Sequence, residues 1–140
     1  MDEFIIEKNL EYVEDTEIGN FWGGVDTYNN MKWELFFEAD KNGPTPKQLS
    51  QYKIFLADFD VIYENIKQHI APQLPIPINN SFSDYRNLPV NVDIVTLKKK
   101  GSEADIELAC CFYQKKFIFK KRLFFLVNIK NNQIVSVVPN

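Results

Sequence analysis

Residues 45–70 constrain this chain more than any other stretch. Thr45-Pro46-Lys47-Gln48 supplies each piece of a helix start: a threonine N-cap, a proline at the first helical position, and a glutamine three residues after the cap. Leu49, Tyr52, Phe55, Leu56, Phe59, Ile62, Tyr63, Ile66 and Ile70 then recur at steps of three and four. That spacing lays one broad apolar stripe along a helix over 46–71. Pro72, Pro75 and Pro77 end it, because proline cannot continue a helix and restricts the residue before it. A stripe of this length needs a sheet face to cover it, and the strands expected on both sides of it supply one.

The flanking segments read as that sheet. Phe4 to Val13 mixes apolar residues with acids, Phe21-Trp22-Gly23-Gly24-Val25 permits a bulge or turn beside a bulky Trp, and Asn29-Asn30 reads as a hairpin turn. Met31, Trp33, Leu35, Phe37 and Ala39 alternate with Lys32, Glu34, Phe36 and Glu38, the two-residue period of a half-buried strand. Beyond the prolines, Asn79 to Asn87 reads as a polar surface loop. Residues 90–138 read as a four-stranded antiparallel meander with a turn at Asn131-Asn132. The expected fold is therefore α+β, an antiparallel sheet packed on one long central helix in two layers. A single domain over 1–140 is expected: N-terminal strands 3–40, helix 46–71, a Pro-rich and polar connector 72–89, and the meander 90–138.

Catalytic chemistry finds little foothold. The one histidine, His69, lies beside the apolar stripe near the helix C-terminus, where a cation is favoured, and reads as a solvated or capping residue. Cys110 and Cys111 are strand neighbours that point to opposite faces, so they read as two free, inert thiols and not as a disulfide or nucleophile. Asp58 and Asp60 diverge on a helix, and Asp40-Lys41-Asn42-Gly43 lacks the Glu that would close a calcium loop. The spacing thus predicts no catalytic residue, no metal and no cofactor. The start of the sequence does not read as a leader and no apolar run reaches membrane-spanning length, so a cytoplasmic chain with no membrane partner is expected.

Charge is more informative. Residues 1–70 hold 14 acids against 6 bases, and residues 71–140 hold 5 against 10. An acidic N-terminal segment with Glu11, Glu14, Asp15 and Glu17 could dock on a basic protein, with Trp22 and Tyr28 as exposed aromatic anchors. Lys115, Lys120 and Arg122, interleaved with Tyr113, Phe117, Phe119 and Phe124, offer the alternative of a nucleic-acid-binding module. A sequence pI near 5.2 repels nucleic acid overall, which favours the protein partner.

The order of features from Phe21-Trp22-Gly23-Gly24 through Trp33 and Leu35 to Gly43-Pro44-Thr45-Pro46-Lys47-Gln48-Leu49, roughly residues 18–75, resembles small uncharacterised bacterial domains of the immunity-protein-like kind associated with polymorphic toxins. The resemblance implies a non-enzymatic cytosolic protein-binding domain that neutralises a cognate toxin by direct contact.

Overall fold

A computed structural model of the chain describes residues 3–74, 88–116 and 119–140, with the backbone alone at residues 5, 6, 113–116 and 119–121. The expected loop from Asn79 to Asn87 lies outside the described residues. Seven strands form one sheet in sequence order: β1 (Glu11–Val13), β2 (Phe21–Tyr28), β3 (Met31–Glu38), β4 (Val90–Leu97), β5 (Ile106–Lys116), β6 (Phe119–Lys130) and β7 (Gln133–Pro139). A short α1 (Glu3–Glu7) precedes them. Between β3 and β4 run α2 (Pro46–Ala57), α3 (Phe59–Ile70) and a 3-10 turn at Ala71–Gln73.

This corrects the expected fold class in two respects. First, the sheet is mixed, because β3 and β4 are parallel neighbours, registered from Glu34↔Ile94 to Phe37↔Leu97. The chain leaves the end of β3, crosses the sheet through its helices, and re-enters at the start of β4; such a crossover makes parallel neighbours. All other adjacent pairs are antiparallel. Second, there is no single long helix. The stripe is continuous in sequence, but the backbone at Asp58 takes φ −101° and ψ 11°, which divides it into two helices of 12 residues each. The Asp58 carboxylate accepts a hydrogen bond from Asn132 Nδ2 in the turn between β6 and β7. That contact ties the break to the far side of the sheet, so α2 lies over β3 and β4 while α3 reaches β7. The N-terminal segment also differs from expectation: residues 3–7 are helical, and Phe4 packs edge-on against Phe37 and Tyr52.

The local signals explain the parts that fix the site. Thr45 and Gln48 form the reciprocal capping box of α2, and Gln48 Nε2 also donates to the carbonyls of Glu38 and Lys98. One buried side chain thereby starts the helix and holds the ends of the parallel pair together. Asn29-Asn30 and Asn131-Asn132 all have positive φ, which is the requirement of a two-residue type I′ hairpin.

The core lies between the helices and one face of the sheet. Trp33, Leu35 and Phe37 of β3, Val92, Val95 and Leu97 of β4, Leu108 and Phe112 of β5, and Val127 and Ile129 of β6 are all buried. Tyr52, Phe55, Phe59, Ile62, Ile66 and Ile70 meet them from above. Trp33 anchors the layer, with ring contacts to Phe55 and Phe59.

Candidate functional site

Alternation along a strand gives every inner residue an outer neighbour, and here the outer neighbours are unusual. The cross-strand register joins Val25, Glu34, Ile94, Ala109, Leu126 and Val138 into one row across six strands. Neighbouring strands lie about 4.8 Å apart, so this row is about 24 Å long. A second row runs Glu11, Gly23, Phe36, Thr96, Glu107, Asn128 and Ser136. Val25 and Val138 are 47% and 43% exposed, and Phe124, opposite Cys111, is 47% exposed. All three described α-helices sit on the other face, through Phe4, Tyr52 and Phe59. The outer face therefore carries one largely apolar row interrupted by Glu34 beside a second, mostly polar row, with no described element over it.

At one corner that face becomes concave. A cavity of about 520 Å³ there is lined by Ser102 and Glu103 of the β4–β5 connection, by the cross-strand neighbours Glu107, Asn128 and Ser136, and by Val135. Val135, displaced by the register shift in β7, is 64% exposed. Lys98 also lines this space, but its ammonium pairs with Glu38 at 3.2 Å. Among the described residues, Glu103 and Glu107 have no ion pair. A second hollow of about 260 Å³ lies between Ile18, Gly19 and Asn20 and the end of β3 at Glu38, Ala39 and Asp40.

The acids expected to bind a partner are partly brought together. Glu11 lies on the outer face in the second row, and Glu14 and Glu17 are exposed in the connection that follows β1. Asp15 has a different job: its Oδ1 accepts the backbone N–H groups of Glu17 and Ile18, which shape this connection. The N–H of Ile18, then that of Glu17, holds the Asp15 carboxyl below its ordinary value. The aromatic anchors are corrected. Trp22 is on the inner face, 8% exposed, with Nε1 donating to the Asp40 carbonyl at 2.8 Å and its ring against Tyr12. Tyr28 is half-buried against Phe59. Both rings belong to the core because the register that buries Leu35 also turns residues 22 and 28 inward.

The basic residues of the alternative are split. Lys98–Lys100 and the 113–122 stretch lie at opposite ends of β5, since Leu97 pairs with Ile106 while Val90 pairs with Phe112. Lys115 and Lys120 are register partners, and their side chains lie outside the described residues. Arg122 is exposed; burial holds the nearby Asp93 carboxyl above its ordinary value, and the charge of Arg122 offsets that only in part.

The thiols lie on opposite faces of β5. Burial, with Asp93 and Cys111 adding, pushes Cys110 up to about 12, and burial raises Cys111 as well, against the opposing pull of Arg122. Neither is a ready nucleophile. His69 Nδ1 lies 2.7 Å from the Asn65 carbonyl, a local helix contact. Asp58 and Asp60 part company, one binding Asn132 and the other accepting from Asn29 Nδ2 at 3.1 Å. Among the described residues no group of three His, Cys, Asp or Glu is placed to hold a metal ion. No described helix is long and apolar enough to cross a membrane.

The sequence reading missed a buried polar cluster. Asp26, 6% exposed on the inner face of β2, accepts from Tyr52 Oη, from Lys8 Nζ at 3.1 Å and from the Thr27 N–H. Trp33 Nε1 donates to Tyr52 Oη at 3.1 Å. The signal was an aspartate at an inward register position of an otherwise apolar strand, with a tyrosine on the helix stripe. Comparison of the chain with models of protein families, with curated proteins and with solved structures found no match.

Proposed function

We propose that this chain is a non-enzymatic protein-binding domain of the immunity-protein kind, which neutralises a toxin partner by direct contact. The supporting observation is the outer face of the sheet, where Val25, Phe124 and Val138 are exposed beside half-buried Ile94, Ala109 and Leu126. An exposed apolar surface of this extent rimmed by charged residues is the usual mark of a protein interaction site. The acids Glu11, Glu14 and Glu17 set the rate and choice of partner, while the row from Val25 to Val138 and the exposed Phe124 supply the burial.

The test is capture by the tagged chain from its own host, read by mass spectrometry with and without nuclease. It runs beside a Val25→Gln, Phe124→Gln, Val138→Gln variant whose fold is checked by circular dichroism. One stoichiometric protein that survives nuclease and is lost by the variant supports the reading; capture indifferent to the variant removes this face.

The nucleic-acid alternative has one observation of its own. The pairs from Tyr113↔Arg122 to Lys116↔Phe119 continue beyond the last partners of β4 and β7, leaving a two-stranded ribbon rich in lysine in the sequence. Capture abolished by nuclease, with retention on heparin at physiological salt, moves the reading to Lys115, Lys120 and Arg122.

A further inference from the structure

An open sheet ends in two edge strands, here β1 and β7, and each presents unpaired peptide groups to any strand that meets it. β1 is guarded by its length and charge: it has three residues, begins with Glu11, and is followed by exposed Glu14 and Glu17. β7 has seven residues and no charge from Gln133 to Pro139. We infer that Gln73 guards this second edge: it occupies the peptide carbonyl that β7 turns outward, and its withdrawal lets a second copy of the chain pair with β7.

Alternate residues of an antiparallel strand bond the neighbouring strand, and the residues between them turn N–H and C=O away from it. The Asn140 N–H donates to the Phe124 carbonyl at 2.9 Å, and Leu126↔Val138 and Asn128↔Ser136 continue that series, so Val137 and Pro139 face outward. Pro139 has no N–H to offer. At the other end of the strand, the register shift beside Asn128 leaves Val135 without a partner and breaks the ladder. From Ser136 to Pro139, Val137 is therefore the one residue that turns both N–H and carbonyl outward. Gln73, in the 3-10 turn after α3, reaches it: Nε2 donates to the Val137 carbonyl at 3.2 Å and to the His69 carbonyl at 3.0 Å. Both protons of the side-chain amide are thus used, and the bond to His69 holds it against the edge. Pro139 and the shifted register are built into β7, whereas Gln73 is exposed on another element and can leave.

The second copy is the occupant because this edge complements itself. Two β7 strands running antiparallel about a two-fold axis at Val137 set each Val137 N–H against the other's Val137 carbonyl, the isologous arrangement of a symmetric dimer. No like charges meet across that contact, while two β1 strands would bring their glutamates together. With Gln73 in place the carbonyl is taken, and its side chain stands where the second strand would lie.

The experiment compares four full-length chains: the parent, Gln73→Ala, Gln73→Lys, and Gln73→Ala combined with Val135→Lys. Each is checked for folding by circular dichroism, then followed by sedimentation equilibrium and ¹⁵N amide spectra from micromolar to millimolar protein. The parent is expected to stay at 16.4 kDa, while the mass of Gln73→Ala climbs toward twice that value as amides of residues 134–139 shift. Gln73→Lys keeps a donor within reach of the Val137 carbonyl and stays monomeric. Val135→Lys puts a charge at an exposed position of the edge and returns Gln73→Ala to the monomer. Gln73→Ala monomeric at millimolar concentration overturns the inference, as does association of the parent, of Gln73→Lys or of the combined variant, or shifts centred on the outer face at Val25 and Phe124. Loss of the fold in Gln73→Ala also overturns it, since Gln73 is then a strut of the structure and not a guard.

Discussion

Tyr52→Phe tests the physical account of the fold most directly, because it removes one oxygen and nothing else. The ring is fully buried, stacked on Phe55 and edge-on to Phe4 and Phe37, and phenylalanine keeps all three contacts. What disappears is the donor to Asp26 Oδ2 and the acceptor of Trp33 Nε1. Each of these groups is buried and cannot turn to water, and leaving one unsatisfied costs about 1–3 kcal/mol, the bond to a carboxylate lying toward the upper end. The expected loss is about 3 kcal/mol, a large share of the 5–15 kcal/mol that holds a typical domain. With a urea slope of about 2 kcal/mol/M, the midpoint falls by about 1.5 M at unchanged slope. A fall below about 0.3 M shows that Asp26 and Trp33 find other partners, and the cluster then contributes little. The same variant has a signature at high pH. Burial first, and Asp26 second, raises the Tyr52 phenol well above its ordinary value of 10.0. Above pH 10 the unfolded chain therefore releases a proton that the folded chain keeps, the unfolded state binds fewer protons, and stability falls as pH rises. This alkaline slope is present in the parent chain and reduced in Tyr52→Phe; equal slopes refute the assignment.

Three further outcomes follow from single contacts. Gly24→Ala places a Cβ 2.8 Å from Leu10 Cδ2 and 3.3 Å from the Lys8 carbonyl, so it pushes the segment that carries the Lys8–Asp26 pair; it is expected to cost about 1–3 kcal/mol by urea unfolding, part of it recovered by Leu10→Ala. Iodoacetamide at pH 8 is expected to leave Cys110 untouched in the folded chain, since a thiol near 12 is about one part in ten thousand thiolate, to label Cys111 more slowly than a free thiol, and to label both in denaturant; rapid native labelling of Cys110 contradicts its burial. Asp15, held below its ordinary 3.8 by the N–H groups of Ile18 and Glu17, contributes order that is whole above about pH 4 and is lost as pH falls through the depressed value. Amide shifts of residues 17–19 should show that acid step in the parent and lack it in Asp15→Asn.

The parts of the fold that were legible are those decided by neighbours in sequence. The α2 start reads directly from Thr45-Pro46-Lys47-Gln48, and both hairpins read from paired asparagines, because capping and positive φ are local chemistry. The break at Asp58 was not legible, since the apolar steps run through it without a pause. It depends on Asn132, 74 residues away, and on the geometry of helices crossing a twisted sheet. The parallel pairing of β3 with β4 likewise belongs to the path of the crossover and leaves no mark in either strand.

The outer face was half legible, and the signal was misassigned. A strand with one solvated face alternates apolar with polar, whereas a strand that meets something on both faces reads as a continuous apolar run. β6 runs Leu123-Phe124-Phe125-Leu126-Val127, and β2 and β4 carry Val25 and Ile94 at outward positions. The helical layer accounts for only one of each pair: Phe125 and Val127 are buried beneath it, while Phe124 is exposed and Leu126 half-buried on the side without a described helix. Such side chains gain nothing from water, and the alignment of Val25, Ile94 and Leu126 in one row requires the register of the strands between them, which no single segment encodes. The aromatic anchors sought at Trp22 and Tyr28 were therefore the inner members of the alternation, and the residues left for a partner are the ones that share their strands and face the other way.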